Sequence, residues 1–329
     1  MGEDNKEIQL NAMQAGYNPL EVAKIVGEPV DPRKPYTGLC EQICETDTAE
    51  PNDFYYYYDV LLDTDKVINI TSSGELLTEN VVPDAPALAS FTDLSTPEYY
   101  VKVTDLASAK ERTLARKLKT INRALNEYED YKILSLVSAG ATTASHTHTL
   151  RSSYTRFVFP DLIDMIEDVQ DYGSNYVLIA GAQIMKDISL WDWDDNKFHS
   201  PQEALRELNV KTVRIPSATA VFQYSDTGAS AGGFASTDVL STNVAYLVAV
   251  DSEMGKPILF VRKRLNDIDL LGGAIKDNGD KPQRLVFVSP NPVVVTAGPT
   301  RFLAVGMTGF EEITGAVKNP YALSKFTRS

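Results

Sequence analysis

From Thr104 to Val137 the chain runs TDLASAKERTLARKLKTINRALNEYEDYKILSLV, with its apolar positions at helical spacing. Leu114, Leu118, Ile121, Leu125 and Tyr128 form one stripe of a 3.6-residue helix. No Gly or Pro interrupts before Gly140. The pattern predicts a single helix of roughly 45 to 50 Å at 1.5 Å per residue. Ser108 and Glu111 have capping-box spacing, with Thr104 or Asp105 as an earlier candidate cap.

Ahead of this helix, DFYYYYDVLLD (Asp53–Asp63) sets four tyrosines in a row. On a strand, Tyr55 and Tyr57 point one way, Tyr56 and Tyr58 the other. Both faces are aromatic, so both need cover. FYYYYDVLLDTDKVINIT reads as the outward strand of a long excursion and EYYVKV (Glu98–Val103) as its return. Between them a stretch rich in turn formers still carries Leu76, Leu77, Val81, Val82, Leu88 and Phe91. Disordered segments are poor in aromatics, and long loops without a core of their own are usually functional. The excursion is therefore expected to find a partner surface. Residues 1–53 read as an arm, broken by Gly16, Pro19, Gly27 and Pro29 and stiffened by DPRKPYTG. Such a segment makes no core and is expected to lie against something else.

A Ser/Thr-rich link (138–153) leads to a mixed α/β region. PDLIDMIEDVQDYG predicts a helix that starts at Pro160, buries Leu162, Met165, Ile166 and Val169, and stops at Gly173. NYVLIAG is a buried-strand run, AQIMKDISLW and PQEALRELN are short helices, and VKTVRIPS, TNVAYLVAVD and KPILFVRKR are strands. From residue 281 the chain is β-rich, through QRLVFVSPNPVVVT and TRFLAVGMTGFEEITGAV to NPYALSKF. There is no fixed-period repeat.

With 329 residues, 43% hydrophobic and 23% charged, the composition is that of a globular protein of one large domain or two to three modest ones. A formal net charge of -14 argues against sequence-independent DNA binding by the body as a whole. Against this balance, Arg112, Arg116, Lys119 and Arg123 make a second stripe on the long helix, about 160–180° from the leucines. The stripe fits a solvated face, a docking rail for acidic groups, or a nucleic-acid contact. The excursion offers Asp59, Asp63, Asp65, Glu75, Glu79 and Asp84 as such acids. Cys40 and Cys44, one turn apart if helical, are too few for a disulfide framework. The amino terminus carries no signal pattern and no apolar run approaches the roughly 20 residues of a membrane span, so the product is expected to be cytosolic when made.

Candidate chemistry is sparse. His146 and His148 in SHTHT share a face if extended, but two ligands do not make a metal site. Asp192, Asp194, Asn196 and Glu203 fall at positions 1, 3, 5 and 12 of an EF-hand-type loop. Lys197 occupies the glycine position, His199 and Pro201 also depart from the pattern, and the segment reads better as a polar turn. Trp191 and Trp193 read as packing anchors. TGASAGGFAST (Thr227–Thr237) lacks a phosphate-loop signature and reads as a flexible loop. No nucleophile, base or zinc motif is found, no cofactor is expected, and the chain is not expected to be an enzyme.

The order of these features resembles the major capsid protein of tailed double-stranded DNA phages, the Hong Kong 97 type of α+β fold. The most specific phrase is FPDLIDMIEDVQDYGSNYVLIAGAQIMKDISLWDWDDNKF, similar to that family's helix, apolar strand, short helix and polar turn. LNVKTVRIPSA and GFEEITGAVKNPYALSKF are similar to its following strand and its ending. The resemblance covers the chain from about residue 30. It implies an N-arm (1–53), an E-loop (54–103), a P-domain with a spine helix at about 105–137 (104–158), an A-domain (159–280) and P-domain return strands with a final strand (281–329). It implies self-assembly into hexamers and pentamers of an icosahedral shell around double-stranded DNA bound without sequence specificity. Portal and decoration proteins are implied partners. No large scaffold-like extension precedes the arm, so a separate scaffolding protein, or none, is implied. Lys66 has no identifiable cross-linking partners, and no cross-links are expected. The place of such a protein is the virion, after synthesis in the host cytoplasm.

In this architecture Tyr55, Tyr56, Tyr57 and Tyr58 pack on the parent domain with one face and on an adjacent subunit with the other. Serine at Tyr56 and Tyr58 is expected to spare folding and impair assembly. The alternatives are an encapsulin-like nanocompartment shell and, in another class, a metal-dependent enzyme using the Asp192–Glu203 loop.

Overall fold

The computed structural model describes residues 39–50, 52–58, 87–96, 98–151, 154–191, 200–213, 219–223, 234–252, 255–264, 284–289, 292–297 and 300–328. Helix α1 (Leu39–Ile43) runs directly into strand β1 (Cys44–Ala49). Strands β2 (Tyr55–Tyr58) and β3 (Ala87–Ser90) pair with each other, while β4 (Thr92–Ser95) and β5 (Tyr99–Lys102) lead into α2 (Val103–Thr143). Next come β6 (Thr147–Thr149), α3 (Phe159–Val169), β7 (Tyr176–Ala180), α4 (Ala182–Ser189), α5 (Pro201–Glu207) and β8 (Val210–Val213). Strands β9 (Thr219–Gln223) and β10 (Phe234–Asp238) form a small antiparallel pair. The chain closes with β11 (Val244–Ala249), β12 (Ile258–Lys263), β13 (Arg284–Val288), β14 (Val293–Ala297), β15 (Thr300–Val317) and β16 (Leu323–Thr327).

Two long rods organise the body. Helix α2 has 41 residues, about 60 Å at 1.5 Å per residue. Strand β15 has 18 residues, also about 60 Å at 3.3 Å per residue. One edge of β15 carries β5 and then β4; the other carries β14, β13 and β12 in turn. Strand β1 adds in parallel outside β12, completing a seven-stranded sheet. The helix lies flush on β15 because glycines face it. A Cβ at Gly309 would stand 2.4 Å from Ile121 Cγ2, and one at Gly315 would stand 2.7 Å from Leu136 Cδ1. Ile121 and Leu125 bury against Val101, Val305 and Met307, while Ile133 and Val137 bury against Ile258, Phe260 and Ile313.

The helix differs from expectation at both ends. It starts from Lys102, in extended conformation, with no side-chain cap. Strand β5 feeds straight into it, so neither the Ser108–Glu111 pair nor Thr104 or Asp105 marks its start. It also continues through Gly140 to Thr143. A Cβ at Gly140 would lie 2.5 Å from Leu323 Cδ1, so this glycine admits β16 to the helix rather than ending it.

The second sheet has five strands in the order β6-β16-β11-β7-β8. Every residue of β7 is buried, as its apolar run predicts for a strand covered on both faces. Val177 and Ile179 join the core under α2; Tyr176, Leu178 and Ala180 join the core made by Phe157, Leu162, Met165 and Ile184. Helix α3 has Pro160 in its first turn, and Gly173 closes the short 3-10 turn that follows it, as predicted.

Three segments sit elsewhere than their spacing suggests. The return strand for the tyrosines is Ala87–Ser90, not EYYVKV, whose Tyr99–Lys102 pair with β15 instead. The end of the expected arm is part of the body: Leu39, Cys40, Ile43 and Cys44 are buried in the main core. Strand β12 belongs to the seven-stranded sheet, whereas β16 joins β7 and β11 in the five-stranded one, so residues 159–280 and 281–329 interleave. Cys40 ends up in helix α1 and Cys44 begins a strand; both are buried free thiols. Phe234–Thr237, expected within a flexible loop, lie in strand β10.

Candidate subunit interface

The seven-stranded sheet has a face away from α2, and the tyrosine strand covers it. Alternation sends Leu259 and Val261 of β12 to that face, where Tyr56, Tyr58 and Phe91 pack on them and on Ala49. The Tyr56 hydroxyl donates to the Asp47 carboxylate. Burial and then this bond push the Tyr56 phenol up to about 12. The Thr314 hydroxyl of β15 donates to the Ser90 carbonyl at 2.8 Å, fastening the paired strand as well. The molecule here is three layers: helix, sheet and tyrosine hairpin.

The outer side of the third layer is uncovered within the described subunit. Tyr55 is 56% exposed, Tyr57 65%, Leu88 (directly across from Tyr57) 56%, and the preceding Phe54 80%. Fully burying one such side chain is worth about 1.5–3 kcal/mol, and contiguous apolar surface of this kind marks an interaction site. Lys263 Nζ lies 6.0 Å from the Phe54 ring centroid and 5.4 Å from that of Phe91, with Glu312 paired to it at 2.7 Å. Asp47, Glu50 and Asp53 are exposed near this layer. The tyrosines thus divide as alternation requires. The expectation for serine at Tyr56 and Tyr58 is corrected, because that pair holds the hairpin to its own subunit and Tyr55 and Tyr57 are the outward pair.

On α2, Ile121 and Leu125 are buried while Arg116 and Arg123 are exposed, so these four residues take different sides of the helix. Arg123 Nε donates to Glu127 at 2.8 Å, one turn on, which leaves its charge partly answered. Lys117 Nζ lies 5.8 Å from the Tyr99 ring centroid. The side chains of Arg112, Lys119, Leu114 and Leu118 lie outside the described residues, as do Asp59, Asp63, Asp65, Glu75, Glu79 and Asp84.

Four charged side chains between α2 and the sheet have no counterpart in the sequence reading. Arg262 donates to both carboxylate oxygens of Glu129, from Nε at 2.7 Å and Nη2 at 3.0 Å. Arg284 Nε donates to Glu311 Oε2 at 2.9 Å, and its Nη2 lies 3.0 Å from Glu129 Oε2. The Glu311 side chain is fully buried, and its Oε1 accepts no hydrogen bond although Arg262 Nε lies 3.4 Å away. Burial, with Glu129 alongside, raises the Glu311 carboxyl to about 8. Burial alone would raise Glu129 too, yet Arg262 and Arg284 hold it low. The only sequence hint was alternation: Arg262 shares a strand face with Phe260, and Glu311 shares one with Ile313.

The weaker candidates resolve into structure. His146 and His148 are both half-buried; His146 Nδ1 lies 3.2 Å from the Leu323 carbonyl and His148 Nε2 lies 2.6 Å from Asp168. Ser324 donates to Asp168 rather than to His148, so these three side chains lack the nucleophile-to-base contact of a catalytic triad. Glu203 sits in the first turn of α5, where its N–H donates to the Ser200 hydroxyl at 3.2 Å. The signal overlooked there was an S-x-x-E capping box. Asp192, Asp194, Asn196, Lys197, His199 and Trp193 lie outside the described residues. Trp191 is buried, with Nε1 donating to the Phe157 carbonyl at 3.1 Å. Among the described residues there is no group of three or more metal-ligating side chains, and no helix is long and apolar enough to cross a membrane. A hollow of about 620 Å³ between α2 and β11, lined among others by Ser135, Ser138, Thr142 and Tyr246, has hydroxyls but no carboxylate, amine or imidazole among its described lining residues.

No protein-family model matches this chain, and no curated protein does. Solved structures do match it along nearly its whole length. A chain from the capsid structure of cyanophage P-SCSP1u is 10% identical over 92% of this chain and 91% of its own, with a TM-score of 0.51. A chain from Microbacterium phage Oxtober96 is 11% identical over 92% and 95%, with a TM-score of 0.54. One from Mycobacterium phage Adephagia is 11% identical over 95% and 98%, also at 0.54. At these identities the likeness is one of fold.

Proposed function

We propose that this chain, which has the Hong Kong 97-type capsid fold, is a major capsid protein that assembles into the hexamers and pentamers of an icosahedral shell around phage double-stranded DNA. The observation that carries the reading is the exposed outward face formed by Tyr55, Tyr57 and Leu88. It is mounted on a layer already fixed to its own sheet, and among the described residues nothing of the same subunit covers it. Tyrosine suits that place, combining large apolar area and few rotatable bonds with a hydroxyl for a polar rim.

In this reading α2 is the spine helix, β2 and β3 form the base of the E-loop, and the five-stranded sheet is the centre of the A-domain. The exposed Arg116 and Arg123, with Arg112 and Lys119 on the same stripe, guide acidic groups of a neighbouring subunit. Charges so placed steer association more than they stabilise it. A net charge of -14 suits a container for DNA, since excess carboxylates keep a concentrated polyanion from adhering to the wall. A portal, a separate scaffolding protein and a decoration protein are the expected partners; the expected location is the virion, and no catalytic role is assigned.

Electron microscopy of the purified protein tests the reading. Closed particles with capsomers support it, and DNA as their content supports the phage assignment. Particles filled with protein cargo indicate a nanocompartment instead. A chain that stays monomeric at high concentration, with and without a co-expressed scaffolding protein, overturns it.

A further inference from the structure

The two carboxylates of the buried quartet do not use their acceptor capacity evenly. Glu129 is met by both arginines, whereas Glu311 Oε1, buried as deeply as any side-chain atom in the sheet, accepts nothing. An unmet carboxylate oxygen in a fully buried site costs several kcal/mol if it carries charge. The cost vanishes if that oxygen bears a proton and donates to the neighbouring carboxylate. We propose that Glu129 and Glu311 share one proton, held on Glu311 Oε1, and that this proton stabilises the charged contact between α2 and strands β12, β13 and β15.

The surroundings leave few rivals for the role. Strand β12 contributes Arg262 and strand β13 contributes Arg284, both permanently cationic. Helix α2 contributes Asp130, whose carboxylate accepts from the Leu39 N–H at 3.0 Å, and α1 contributes the Cys40 thiol, held low by its bond from Cys44 and by Arg262. Lys263, Glu312 and Asp93 alternate to the opposite face of the sheet, with Lys263 and Glu312 paired there. With the proton in place, one carboxyl and one carboxylate face two guanidiniums and Glu311 Oε1 gains a partner, while Arg284 Nη2 stays without a hydrogen bond. Without it, Glu311 buries a carboxylate charge whose Oε1 accepts no hydrogen bond, with Arg262 Nε 3.4 Å away. The raised Glu311 carboxyl agrees with this arrangement. The four groups come from one helix and three strands of a single subunit, so the proposal stands whether or not the chain builds a shell.

The test uses the full-length chain with carbon-13 in the glutamate side-chain carboxyls. The Glu311 signal is expected to titrate near pH 8 rather than in the usual carboxylate range. Hydrogen exchange of the 125–133 amides, corrected for intrinsic rates, is expected to quicken at least about tenfold as that proton is lost. Glu311→Gln, which keeps an N–H donor toward Glu129 at every pH, is expected to flatten the exchange curve. A Glu311 signal that titrates in the ordinary range overturns the proposal, and so does a Glu311→Gln chain that loosens with pH as the parent does. Should that variant not fold, the carboxyl titration of the parent decides alone.

Discussion

Gly309 of β15 touches Ile121 of α2 so closely that a methyl group on the glycine would stand 2.4 Å from Ile121 Cγ2. Helix and sheet meet there without room for a side chain. Gly309→Ala is therefore expected to destabilise the subunit by about 1–3 kcal/mol through overpacking. Urea denaturation checks it: the midpoint should drop with the slope unchanged. An unchanged midpoint would show that Ile121 can step aside.

The tyrosines separate folding from association. Tyr56→Ser with Tyr58→Ser removes the contacts on Leu259 and Val261 and the bond to Asp47, and should lower subunit stability by several kcal/mol. Tyr55→Ser with Tyr57→Ser should leave the subunit's melting transition within about 1 kcal/mol of the parent while reducing particle yield. Calorimetry on the unassembled chain and light scattering during assembly tell the two apart. If the outward pair lost stability and the inward pair lost assembly, the layer order described above would be reversed in function.

Reversal of charge at Arg116 and Arg123 addresses the helix's exposed stripe. Arg116→Glu with Arg123→Glu should slow association at low ionic strength and matter less near 1 M salt, where the screening length is about 3 Å. Assembly kinetics at two salt concentrations are the readout. Equal rates for parent and variant at low salt would make the stripe an ordinary solvated face.

The quartet also predicts how overall stability depends on pH. Glu311 has a folded pKa of about 8, above its ordinary value of 4.5, so its contribution is fully present at low pH and is lost as pH rises through about 8. Glu129, held low, works in the opposite sense, and its contribution is lost as pH falls below the ordinary carboxylate range. Stability should therefore decline from about pH 5 to pH 8 in the parent, and decline less in Glu311→Gln. Urea midpoints at those pH values give the answer directly. A midpoint that climbs across this window would contradict the assignment.

What the sequence revealed was whatever depended on neighbours along the chain. The Ile121 and Leu125 positions of the apolar stripe on α2, the Pro160 start of α3 with Gly173 just past its end, and the apolar run of β7 are all marked within a few residues. What it concealed depended on distant partners. Gly140 looks like a helix stop because Leu323, which requires it to be small, lies far along the chain. Ala87–Ser90 has neither alternation nor bulk, so nothing local marks it as the partner of four tyrosines. The strand KPILFVRKR is equally apolar in either sheet, and only pairing with β15 decides which. Glu129, Arg262, Arg284 and Glu311 resemble solvent-facing charges until the fold brings them together.

A plank of one ply flexes; three plies glued face to face scarcely do. Because α2, β15 and the tyrosine hairpin are stacked and interlocked, bending this stretch would have to stretch one layer while compressing another. Load applied across this stacked stretch should thus pass through it with little bending. Among the described residues, the stack gives way at the last turn of α2, where Gly140 lets Leu323 of the five-stranded sheet close against the helix.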